Sequence, residues 1–182
     1  MEEKNKAWKT VSSKYLFRRP WLTVRCEDMS LPNGNHIPEY YILEYPDWVN
    51  TIAITKEGKF VFVRQYRPGI GRTCYELCAG VCEKEDVSPL VSAQRELWEE
   101  TGYGNGNWQE YMVVSANPST HTNLTHCFLA TDVELIDHQH LEATEDISVH
   151  LFTLEEVRTL LENNEIMQSL NAAPLWKYMA SL

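Results

Sequence analysis

Short apolar runs separated by turn residues dominate the first two thirds of the chain, and helical spacing enters only later. Residues 21–27 suit a strand, Leu31-Pro32-Asn33-Gly34 supplies turn chemistry, and 39–45 suits a second strand, so an amino-terminal antiparallel hairpin is expected. Residues 49–55 and 59–66 read as a strand pair joined at Lys56-Glu57-Gly58, where glycine tolerates positive φ. A short strand follows at 73–77. The pattern then changes: Ser88 is placed to cap a helix, Pro89 fits its first position, Leu90, Ala93 and Leu97 recur at helical spacing, and Gly102 marks the stop. Beyond it, 108–115, 126–133 and 147–152 read as strands, 154–163 as a helix, and a last helix begins at Ser169 or Ala173 and runs to Ala180.

Strands outnumber helices and do not alternate regularly with them. This predicts an α+β protein with a mixed sheet rather than a doubly wound fold. At 182 residues the chain can bury one substantial core but not two ordinary domains. The expected organisation is a hairpin extension over 1–48 and a main domain over 49–182. With 43% apolar and 23% charged residues, the composition is that of an ordinary folded, water-soluble protein.

A net charge of -10 opposes binding to nucleic acid and to anionic membranes, so neither is an expected partner. A polyanionic small substrate would then depend on local arginines or on metal ions. The five cysteines (26, 74, 78, 82 and 127) are odd in number, the start lacks the apolar stretch of a signal peptide, and the expected location is the cytoplasm. Cys74, Cys78 and Cys82 sit four apart on a strand and turn, where three thiols do not converge, so they read as buried apolar residues. No run approaches ~18 uninterrupted apolar residues, so no membrane-spanning helix is expected.

The chemistry concentrates in residues 80–103. Glu96, Glu99 and Glu100 stand at i, i+3 and i+4 of the helix and share a face. Like charges so placed repel, and a hard divalent cation is a natural compensation. A solvated acidic face is the competing explanation, and the flanking residues decide against it. Gly80, Arg95, Glu96, Leu97, Glu99, Glu100, Gly102 and Tyr103 resemble the Nudix box, a glycine and an acid followed by Arg-Glu-aliphatic-any-Glu-Glu-any-Gly-aliphatic. The spacing from Gly80 to Arg95 is one residue longer than that pattern, so the first acidic position falls to Glu85 or Asp86.

The resemblance implies an α/β/α sandwich in which the box holds Mg²⁺, with Mn²⁺ a substitute. The implied metal ligands are the Ala79 carbonyl, Glu96, Glu99, Glu100 and an acid from a later loop. Arg64-Gln65-Tyr66-Arg67 and Glu76-Leu77-Cys78-Ala79-Gly80 are similar to the ADP-ribose and nucleotide-sugar pyrophosphatase branch. By that likeness Arg67 contacts a phosphate, and Arg72 is a second candidate. The later acid is Glu145 or Glu142, one of them on metal and one as general base. Trp21 and Tyr40 of the hairpin are candidates for stacking on the base, in a homodimer. The implied reaction is hydrolysis of ADP-ribose to AMP and ribose 5-phosphate. GDP-mannose or another nucleotide sugar is the alternative substrate, and a non-catalytic nucleotide-sugar sensor is the alternative of another class. A sensor fits less well, because the three box glutamates are intact.

Overall fold

The apolar runs become the middle of a mixed sheet. The computed structural model describes residues 6–182. They fall into two compact units, one made of the chain up to Tyr45 with Asn117–Asn123, the other of Pro46–Ala116 with Leu124–Leu182.

In the first unit, β1 (Lys9–Arg19), β2 (Leu22–Ser30) and β3 (His36–Glu44) form an antiparallel meander. The expected hairpin is β2 and β3, but β2 begins at Leu22, and Trp21 stands in the turn before it. Strand β1 went unread because every residue in it is exposed, so no apolar alternation marks it. It is defined by pairing with β2, interrupted by two register shifts. The distant segment Asn117–Asn123 docks on β3 through Leu43 N–H to Thr120 O (2.8 Å), Thr122 N–H to Leu43 O (3.1 Å) and Tyr40 Oη–H to Ser119 O (2.6 Å).

The second unit is an eight-stranded sheet with helices on both faces. Its strands are β4 (Trp48–Thr55), β5 (Phe60–Arg67), β6 (Arg72–Glu76), β7 (Cys78–Val81), β8 (Tyr103–Gly104), β9 (Asn107–Val114), β10 (Thr125–Leu135) and β11 (Ser148–Phe152). Its helices are α1 (Pro89–Thr101), α2 (Leu154–Glu162) and α3 (Ser169–Ala180). The path runs β11-β5-β4-β10-β8, with β4 and β10 parallel. Strand β4 is buried almost throughout, as a central strand covered on both faces must be. Its side chains alternate between two cores: Ile52 and Ile54 pack with Phe60, Phe62, Leu161 and Leu175 beneath α2 and α3, while Ala53 packs with Val61, Cys78 and Leu97 beneath α1. This period of two is what makes the α/β/α sandwich.

Two features of this sheet place the site. Strands β4 and β5 pair only at Ala53↔Val61 and Ile54↔Phe60. Away from that point β4 pairs with β7 and β5 with β6, so the two strands diverge and leave room between them. Helix α1 is fixed at both ends. Ser88 caps it through Val91 N–H, and Gly102 ends it in the left-handed region at φ 75°. Only glycine fits there, because a Cβ would also strike the Asp137 carbonyl. Helix α3 begins at Ser169, the earlier of the two expected starts, and accommodates Pro174 inside it.

Candidate active site

Strand β7 runs along β4 and brings Ala79, Gly80 and Val81 against the acidic face of α1. The Val81 amide donates to Glu96 Oε1 (3.2 Å) and the Ala79 amide to Glu100 Oε2 (3.1 Å). Gly80 lies between them, and a Cβ there would collide with the Glu96 carboxyl carbon and both its oxygens. The need for glycine here is therefore proximity to a carboxylate and not a special backbone angle.

Arg95 organises the outer part of the cluster. Its Nη1 donates to Glu96 Oε1 (3.0 Å) and Glu99 Oε2 (2.9 Å), and its Nη2 to the Val81 carbonyl (3.0 Å) and Asp86 Oδ2 (3.0 Å). Burial works against the Arg95 charge, but the bonds to Asp86, Glu96 and Glu99 outweigh it and raise its pKa. Asp86, rather than Glu85, takes the first acidic place. It also accepts from Ser92 Oγ (2.7 Å) and the Glu83 amide (3.3 Å), and its pKa is lowered chiefly by Arg95. The extra residue in the loop is thus absorbed ahead of the helix without displacing the box carboxylates.

Glu100 is the innermost acid, 4% exposed. Burial pushes its pKa up to about 8, against hydrogen bonds from Cys78 and Ala79 that lower it, and repulsion from Glu96 and Glu145 adds to the rise. Burial likewise raises Glu96. Three carboxylates at one helix face thus share a single contacting arginine, and the deepest of them has only neutral donors. Such a donor set fits a divalent cation, which supplies the missing positive charge through oxygen ligands.

Arg67, at the end of β5, points its guanidinium at Glu76 of β6. Nε donates to Oε1 at 2.8 Å, and Nη2 completes a two-pronged pair. Glu76 is 2% exposed, so its charge is held by this pairing, which also raises the pKa of Arg67. The Arg67 Nη1 makes no hydrogen bond among the described residues and remains available. Arg67 lines a cleft of about 330 Å³ together with Ala79, Gly80 and Val81. The same cleft is lined by Asn50, Thr125 and Asn171, all buried, whose Oδ1, Oγ1 and Oδ1 atoms find no partner among the described residues. Sequence reading passed over these three; the only signal was polar residues inside otherwise apolar strand and helix runs.

Arg72 stands opposite Arg67 in the β5–β6 ladder, but its Nη1 reaches Met167 Sδ (3.3 Å) and it lines a different pocket with Arg64 and Tyr75. Glu142 and Glu145 occupy a turn in the loop between β10 and β11, where the Glu142 amide donates to Glu145 Oε2 (2.9 Å). Trp21 and Tyr40 belong to the first unit. Trp21 is 84% exposed, whereas the Tyr40 ring packs edge-on against Trp8 at 5.5 Å.

A mixed sheet between helices, with a glycine-cradled carboxylate cluster on the loop and helix that follow it, defines a class of hydrolases built to work with divalent cations. Residues 45–172 match the model of the NUDIX domain, and residues 8–43 that of the nucleoside diphosphate sugar hydrolase N-terminal domain. The chain belongs to the Nudix family and is a Nudix hydrolase. It is similar to a protein of Bacillus subtilis (strain 168) named ADP-ribose pyrophosphatase, 32% identical over 90% of this chain and 88% of that one. A methanol dehydrogenase activator of Bacillus methanolicus is 30% identical over 88% of this chain and 86% of its own length. The crystal structure of an ADP compounds hydrolase matches with a TM-score of 0.83 over 96% of this chain and 94% of that one, at 20% identity, a likeness of fold.

Proposed function

We propose that this protein hydrolyses the pyrophosphate linkage of a nucleoside diphosphate sugar, with ADP-ribose cut to AMP and ribose 5-phosphate as the preferred reaction. The observation that carries the reading is the gathering of Glu96 and Glu100 on the Ala79–Val81 backbone, with Glu99 tied to Glu96 through Arg95, beside a cleft that Arg67 also lines. The name of the Bacillus subtilis relative favours ADP-ribose among the nucleotide sugars.

Mg²⁺, or Mn²⁺ in its place, would be held by Ala79, Glu96, Glu99, Glu100 and Glu145. Bound there, the cations supply charge stabilisation at the phosphoryl oxygens and a water of lowered pKa. The chain's own residues do the rest. Asp86 fixes Arg95, and Arg95 holds Glu96 and Glu99 in place. Glu76 aims the Arg67 guanidinium, leaving Nη1 for a phosphate oxygen. Glu142 or Glu145 takes the proton of the attacking water. Asn50, Thr125 and Asn171 offer hydrogen-bonding atoms to a hydroxyl-rich moiety in the same cleft, and Arg72, which lines a different pocket, would have to leave Met167 to serve as a secondary phosphate contact.

The extension over 1–48 serves base binding and dimerisation in this reading. Trp21 offers an exposed ring for stacking, Tyr40 a half-buried one beside Trp8, and the exposed Val11, Phe17 and Leu22 fit a surface covered in a homodimer. Among the described residues no helix is long and apolar enough to cross a membrane. The cytoplasm is the proposed location.

The test is a panel of ADP-ribose, ADP-glucose, GDP-mannose, NADH and a diadenosine polyphosphate with Mg²⁺, read as nucleoside monophosphate released. ADP-ribose is expected to give the highest kcat/KM. A maximum for GDP-mannose would overturn the substrate but keep the chemistry. Tight binding without turnover across the panel would replace the enzyme with a sensor.

A further inference from the structure

We infer that Asp137, His138 and His140 form a second cation site, apart from the box carboxylates, that takes a transition metal such as Zn²⁺ in preference to Mg²⁺. These residues open the loop after β10 and lie outside the box pattern. One ligand atom from each falls within 4.8 Å of the other two. Asp137 Oδ1 is 2.7 Å from His138 Nδ1, and its Oδ2 is 3.0 Å from His140 Nε2. The two imidazole rings lie 4.3 Å apart. Tetrahedral Zn²⁺ with ligands at about 2.0–2.2 Å spaces them roughly 3.3 Å from one another, so side-chain adjustments of about an ångström suffice.

The backbone beneath these side chains is fixed from several directions. The Ile136 and Asp137 amides both donate to the Gly102 carbonyl (2.9 and 3.1 Å), and the His138 amide to Asp137 Oδ1 (2.8 Å). The His140 amide donates to the Glu99 carbonyl (2.8 Å), and Gln139 Nε2 to the Glu100 carbonyl (2.7 Å). The His140 ring stacks on Trp98 with centroids 4.0 Å apart. Such supporting contacts set ring orientation before a metal arrives. The cluster also sits at the carboxyl end of α1, the negative end of the helix dipole, which favours a cation.

The donor set decides which cation. Two imidazoles and one carboxylate suit Zn²⁺, Ni²⁺ or Cu²⁺, whereas Mg²⁺ prefers an octahedron of oxygens. Three protein ligands leave one coordination position open. An ion here would stiffen the start of the loop that carries Glu142 and Glu145, a segment already bonded to the end of the helix that carries the box, so occupancy would bear on the placement of those acids.

The test is a calorimetric titration of Zn²⁺ into the intact protein with Mg²⁺ in large excess, paired with X-ray absorption on the loaded sample. The expected result is one Zn²⁺ per chain with histidine ligands. Affinity is expected to fall at least roughly tenfold in His138→Ala and in His140→Ala, and to persist in Glu99→Gln. Because His138 is exposed, His138→Ala is expected to keep its fold, checked by an unchanged Tm without Zn²⁺. No uptake against Mg²⁺, or uptake that survives both histidine variants and disappears in Glu99→Gln, would overturn the site. Neither result depends on the substrate proposed above.

Discussion

Removing divalent metal from this protein should make its stability depend steeply on pH, through Glu100. Its carboxyl, 4% exposed, is raised from 4.5 to about 8 in the folded chain. A group whose folded pKa is raised contributes stability that is fully present below its unfolded pKa and is lost as pH rises through the folded value. For these two values about 2–3 kcal/mol disappears between pH 6 and pH 8.5, out of roughly 5 kcal/mol in all. In a chain of this size that corresponds to a fall in Tm of about 5–10 °C. The assay is thermal unfolding in EDTA across that window, repeated with Mg²⁺ and with Glu100→Gln. The fall should be present in wild type with EDTA and largely absent in Glu100→Gln, where no charge forms. Saturating Mg²⁺ should suppress it as well, since a cation stabilises the ionised carboxylate. An equal fall in wild type and in Glu100→Gln would refute the assignment of the effect to this buried acid. A fall that Mg²⁺ leaves unchanged would refute its role as a ligand.

Three further outcomes follow from the packing. Gly80→Ala places a methyl group into the Glu96 carboxylate, and should cut metal-dependent turnover by at least roughly a hundredfold while costing about 1–3 kcal/mol in urea unfolding. Arg67→Ala strands the buried Glu76 charge and should destabilise by about 2–4 kcal/mol, whereas Arg67→Ala combined with Glu76→Gln should recover much of that loss without recovering activity. Of the loop acids, the general base should lower kcat in its Gln variant and shift the acid limb of the pH–rate profile, and the metal ligand should instead raise the Mg²⁺ concentration at half-maximal rate; identical behaviour of Glu142→Gln and Glu145→Gln would contradict a division of roles.

The central sheet and α1 were legible because burial leaves a periodic trace. Ile52, Ala53 and Ile54 read as an uninterrupted apolar strand, and Ser88, Pro89 and Gly102 bracket the helix with capping chemistry that the structure uses as expected. The acidic face was legible from spacing alone, because i, i+3 and i+4 fix a common side of any helix. Strand β1 was not, since every residue of Lys9–Arg19 is exposed and no apolar alternation marks it. Choosing Asp86 over Glu85 required knowing where Arg95 Nη2 points. Glu76 as the partner of Arg67 depends on the register of the β5–β6 ladder, and Asn50, Thr125 and Asn171 as cleft residues depend on β4, β10 and α3 meeting from distant parts of the chain, which no local pattern encodes.

The most direct test of the carboxylate cluster as the hydrolytic centre is AMP release from ADP-ribose across a Mg²⁺ titration, in wild type and in Glu96→Gln and Glu99→Gln. The helix accepts glutamine as readily as glutamate, so both variants should keep the wild-type circular dichroism. Turnover should be strictly Mg²⁺-dependent in wild type and lower by several orders of magnitude in the variants. Near-normal turnover in both folded variants, or hydrolysis undiminished in EDTA, would contradict it.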